Sequence, residues 1–172
     1  MEVSALLNVL TASIEGKQIA AHLDAVEQSL PSCVKSVYAR ADSGIPTDRS
    51  SSVGWDSGFC CREATEAYEK KGWQYIVVAR KTARLIDELQ TAEWQPSPKT
   101  DADQQCEFLY QPDGWSKPHR FLALRYERAE EDAKPEQYQL FDTSQSIYRA
   151  FVTGLDSPIE PAVWFYNQRA SA

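Results

Sequence analysis

The chain has 172 residues, of which 42% are hydrophobic and 25% charged, with 18 Lys and Arg against 25 Asp and Glu for a net charge of −7. These are ordinary globular proportions; they exclude a disordered or low-complexity protein, and the length suits one domain or one domain with a small insertion. The acidic balance excludes nucleic-acid binding by bulk attraction, so any such contact needs a local basic patch or bound metal ions.

In chain order, 5–10 (ALLNVL) reads as a short apolar strand. A helix over 14–30 follows, with Ile19, Leu23, Val26 and Leu30 on one face and Pro31 as its stop. Residues 34–41 (VKSVYARA) form the next strand, which runs into Asp42-Ser43-Gly44, a turn signal. Residues 45–55 carry Pro46 and the run Ser50-Ser51-Ser52 without helical or strand period, and predict an exposed loop. A helix over 60–71 places Ala64, Ala67 and Tyr68 on one side, with Gly72 at its C-cap. The strand 73–79 (WQYIVVA) precedes a helix over 82–94 with Leu85, Ile86 and Leu89 at helical spacing, ended by Pro96 and Pro98.

After Pro98 the pattern turns to antiparallel strands, at 104–110, 119–127 and 147–154. In the second of these, Phe121, Ala123 and Arg125 alternate against Leu122, Leu124 and Tyr126. Pro158 to Ala172 ends the chain with the start of a helix around Val163, Trp164, Tyr166 and Asn167. Alternating strands and helices predict an α/β sheet. The organisation expected is a core part over 1–94 with a loop insertion at 45–58, a β-rich insertion over 95–155, and a C-terminal core helix beginning in 156–172.

No apolar run approaches the roughly 20 residues of a membrane span. Glu2 stands where a secretory signal carries Lys or Arg, which predicts a cytoplasmic protein with no membrane partner. Cys33, Cys60, Cys61 and Cys106 form no C-x-x-C pattern and read as free thiols. His22 and His119 are too few for a metal cluster, and the five tryptophans read mostly as core or turn anchors. The basic concentration is Lys70, Lys71, Arg80, Lys81 and Arg84; it faces either solvent at a helix end or a DNA backbone.

Asp42 stands at the carboxyl end of a strand expected to be central, where open α/β sheets bind ligands and metals. The small Ser43 and Gly44 beside it leave room for a metal and a phosphate, although a turn Asp capping a helix is commoner at such a position. The run Tyr38-Ala39-Arg40-Ala41-Asp42-Ser43-Gly44, joined to Phe59-Cys60-Cys61-Arg62-Glu63-Ala64, resembles the R-A-D-S-G-F motif of DDE-type insertion-sequence transposases. Segments 68–73 and 78–82, and Tyr138 to Thr143, resemble stretches downstream of that motif in the family. Tyr166-Asn167-Gln168-Arg169 resembles the start of its Tyr-x2-Arg-x3-Glu-x6-Lys signature.

The resemblance implies a partial RNase H-like mixed sheet with flanking helices, and metal-dependent cleavage and strand transfer on DNA. In the family three carboxylates hold two Mg2+ ions about 3.5–4 Å apart, and hard oxygen ligands suit that ion. By the same carry-over Asp42 is the catalytic, metal-holding carboxylate, and Tyr166, Arg169, Arg80 and Lys81 contact DNA, the transposon ends. A transposase homo-oligomer is the implied assembly. The family's first aspartate would lie upstream of residue 5, and its third carboxylate four residues past Arg169, beyond Ala172. Asp-Ser-Gly occurs at 42–44 and again 14 residues on, at 56–58, as an insertion with a short flanking duplication would leave it. The expectation is therefore a fragment of a transposase catalytic domain that does not cut DNA alone. The alternatives are a non-catalytic partner of full-length transposase, or an unrelated α/β enzyme pairing Asp42 with Asp56.

Overall fold

The computed structural model describes residues 3–9, 16–41, 58–127 and 146–168. Its elements are β1 (Val3–Val9), α1 (Gly16–Ser29), β2 (Val34–Ala41), α2 (Gly58–Lys70), β3 (Gln74–Val78), α3 (Ala83–Thr91), the two-residue β4 (Gln95–Pro96), β5 (Gln104–Tyr110), β6 (His119–Glu127), β7 (Ser146–Thr153) and α4 (Ile159–Asn167). The strands form one mixed sheet in the order β1-β2-β3-β7-β6-β5-β4. β1, β2 and β3 run parallel, and β7, β6, β5 and β4 continue antiparallel from β3. The α/β class expected from the strand–helix alternation is the one observed. The expected 34–41, 104–110 and 119–127 strands have those bounds, and the other elements shift by a few residues.

The β-rich stretch of 95–155 joins the α/β half edge to edge, since β7 pairs with β3 through Ile76–Thr153, Val77–Val152 and Val78–Phe151. Period-two alternation then builds two cores from one sheet. On one face Val37, Ala39, Tyr75, Val77, Phe121, Ala123 and Val152 pack with Ile19 and Leu23 of α1, Ala64 and Tyr68 of α2, and Leu85 and Leu89 of α3. On the other, Ile76, Leu122, Leu124 and Phe151 pack with Ala162, Val163 and Tyr166 of α4. Residues 121–124 of β6 are buried on both faces, because helices cover both faces there.

Caps explain the helix ends. Gly72 takes φ 67°, Trp73 N donates to Tyr68 O at 3.0 Å and Gly72 N to Glu69 O at 3.0 Å, the paired bonds of a Schellman motif closing α2. Thr82 starts α3 by accepting from Leu85 N at 3.2 Å. α3 stops at Thr91, short of the expected residue 94, and Trp94 Nε1 folds back to donate to Leu89 O at 2.9 Å.

Candidate nucleic-acid interface at the carboxyl ends of the parallel strands

β2 has β1 on one side and β3 on the other, so its carboxyl end opens at the interior of the sheet rather than at an edge. Ala41 pairs with Val77, which brings the carboxyl ends of β2 and β3 level. Because β7 is antiparallel to β3, its amino half comes to the same end; Ala79 N donates to Ala150 O at 2.8 Å. Arg80 and Lys81 leave β3 there, both exposed. The last turn of α4 reaches the same end on the opposite face from α3.

Two arginines flank that turn. Arg40 is 3% exposed, and its Nη1 donates to Phe165 O at 2.7 Å while the guanidinium lies 5.5 Å from the Phe165 ring centroid. A cation on the last carbonyls of a helix opposes the partial negative charge of the C-terminus. Burial lowers the Arg40 pKa from its ordinary value. Arg149 of β7 sits 5.1 Å from the Phe151 ring and 5.0 Å from the Tyr166 ring, with Nη1 3.4 Å from Asn167 Oδ1. Tyr166, between the two arginines, is wholly buried and edge-on to Phe151 at 4.9 Å. Burial raises the Tyr166 hydroxyl pKa; a hydrogen bond and the charge from Arg149, and the charge of Arg40, act in the other direction.

Compared with family models, with curated proteins and with solved structures, the chain matches none. The residues singled out from sequence are thus read on geometry alone. Asp42 and Arg169 lie outside the described residues, as do Asp56 and the segment 45–55. Arg80 and Lys81 share the end of the sheet just described. Tyr166 shares it too, but as a core side chain supporting Arg149 rather than as a surface ring. Among the described residues no group of three or more His, Cys, Asp or Glu is placed to hold a metal.

Sequence reading missed Arg40 and Arg149 as site residues. A signal existed for each: Arg40 shares the strand parity of Tyr38, and Arg149 that of Phe151, so each faces α4. A small apolar cleft opens beside Arg80, floored by Leu85, Phe121 and Val152 and walled by Tyr110 and Trp115.

A second polar cluster occupies the amino ends of β3 and β6. Glu69 accepts from the Tyr75 hydroxyl at 3.1 Å and pairs with Lys117 Nζ at 2.7 Å. His119 Nε2 lies 3.2 Å from Glu69 Oε1, a contact not aligned as a hydrogen bond. Burial raises the Glu69 pKa, but Lys117, Tyr75 and His119 outweigh it, and the carboxyl is held below its ordinary value. The cluster straps α2 to the sheet, and its two potential metal ligands are too few for a closed site.

Proposed function

We propose that this chain is part of a DDE-type transposase catalytic domain with an RNase H-like core, acting on DNA. The observation that carries the reading is the position of the R-A-D-S-G run. Arg40 and Ala41 are the last residues of an interior strand, at the end of the sheet where Arg80, Lys81 and Arg149 gather, and Asp42 is the next residue of the sequence. In a protein of net charge −7 that gathering is the local basic patch that phosphate contact requires. Asp42 is the residue to hold Mg2+, which supplies Lewis-acid stabilisation of charge on a phosphoryl oxygen. The arginines and lysine hold the DNA backbone, and Arg40 fixes the last turn of α4 against β2 beside it.

Of the three family carboxylates these 172 residues carry Asp42. A single carboxylate leaves Mg2+ mostly hydrated and does not fix the line of an in-line attack. A protein of these 172 residues alone is therefore expected to bind DNA without cutting it. The test is a labelled duplex titrated with purified protein in a salt series, followed by a nicking assay with Mg2+ or Mn2+. Salt-dependent binding without nicking is expected. Absence of salt-dependent binding would overturn the nucleic-acid reading; metal-dependent nicking abolished by Asp42→Ala would overturn the inertness and give Asp42 a catalytic role directly.

A further inference from the structure

We propose that Arg149, with the amide of Asn167 beside it, seats a phosphate of the DNA backbone. The inference rests on the nucleic-acid reading and adds to it a binding residue outside the R-A-D-S-G and Tyr-x2-Arg runs.

Arg149 differs from the other cations in what holds it. The ion pairs among the described residues engage Arg62, Lys71, Arg84, Lys117, His119 and Arg120, and leave Arg149 without a carboxylate. The Tyr126 hydroxyl donates to Asp101 at 3.2 Å and is itself bonded by Arg149, so the carboxylate bears on Arg149 through that hydroxyl. What orders Arg149 directly is uncharged: the rings of Phe151 and Tyr166, both wholly buried, the Asn167 side-chain oxygen, and the Tyr126 and Tyr166 hydroxyls. A guanidinium fixed by rings keeps its full charge, and its bonds to Asn167 and to the Tyr126 and Tyr166 hydroxyls leave part of its five N–H donors over. It is pre-organised for the two-oxygen face of a phosphate, with little rotamer freedom left to lose. Asn167 is exposed, and because its oxygen accepts from Arg149, its NH2 group supplies a further donor at the same place. The seat lies at the end of the sheet where Arg80 and Lys81 leave β3, so one backbone can run past all three cations.

The test is fluorescence anisotropy of a labelled DNA duplex over a salt series, with wild type, Arg149→Gln, Asn167→Asp and Lys35→Gln. Losing one phosphate contact should weaken binding and lower the slope of log K against log salt by about 0.9 in Arg149→Gln. A merely structural arginine would not change the slope. Asn167→Asp is close to isosteric and sets a competing carboxylate beside the guanidinium at an exposed position; binding should weaken with the fold unperturbed. Lys35, exposed at the other end of β2, should leave the slope unchanged. If wild type binds and both Arg149→Gln and Asn167→Asp keep its affinity and slope, this inference alone falls. If wild type shows no salt-dependent binding, the nucleic-acid reading falls with it.

Discussion

Gly154 follows the last residue of β7 and sits against the ring of Tyr75. A Cβ built at position 154 would lie 2.7 Å from Tyr75 Cε1, 3.1 Å from Cδ1 and 3.3 Å from Cζ. Ordinary contact begins near 3.4 Å, so the ring or the backbone must yield by more than half an ångström. Neither is free to do so. Tyr75 is 1% exposed, stacked on Tyr68 at 5.5 Å and bonded through its hydroxyl to Glu69. The backbone is pinned by Gly154 N donating to Tyr75 O at 3.0 Å and by Thr153 Oγ1 donating to the same oxygen at 2.7 Å. Overpacking of this kind costs about 1–3 kcal/mol. The reduced freedom of the unfolded chain returns roughly 0.4–1 kcal/mol for Gly→Ala, so Gly154→Ala should be less stable than wild type by about 1–2 kcal/mol. Gly154 is not in the positive-φ region, so the whole cost is steric. Urea unfolding followed by far-UV circular dichroism measures it. In a Tyr75→Leu background, where the ring is gone, the same Gly154→Ala change should be neutral or stabilising. Equal cost in both backgrounds, or a Gly154→Ala protein as stable as wild type, would refute the assignment of the clash.

Gly72→Ala should cost about 1–2 kcal/mol for the opposite reason: a Cβ there meets nothing within 4 Å, but the φ of 67° is left-handed; urea unfolding with no loss of stability would remove the Schellman account of α2's end. Glu107 accepts from Arg120 Nε at 2.8 Å and Nη2 at 2.7 Å, and chiefly this hydrogen bonding holds its pKa below the ordinary 4.5. The folded pKa is depressed, so the stabilisation is present above about pH 4.5 and is lost as pH falls through the lower folded value; wild type should lose more stability than Glu107→Gln between pH 7 and pH 3, and equal losses would refute the pairing. Burial pushes the Cys106 thiol up to about 12. In iodoacetamide at pH 8 the native protein should be alkylated at exposed Cys33 and spared at Cys106 until unfolded, as peptide mass mapping would read.

Local chemistry wrote much of this fold into the sequence. The alternation of Phe121 and Ala123 against Leu122 and Leu124 marked β6, because side chains of a strand point to opposite faces wherever it pairs. Ile19, Leu23, Val26 and Leu30 marked the buried side of α1, and Gly72 marked the end of α2, because helical period and a left-handed cap are properties of a few consecutive residues. Which strand lies beside which is not such a property. That β7 enters beside β3, far away in the chain, depends on the two-sided burial of Ile76 and Val77 against Phe151 and Val152. The candidate site divides the same way. The run ending in Asp42 and the cations Arg80 and Lys81 could be named from sequence. The buried state of Arg40 and Tyr166, and the ring-held guanidinium of Arg149, appear only when α4 crosses the face that α1, α2 and α3 leave open. A side chain's parity gives its face, but its partners come from whichever element packs there.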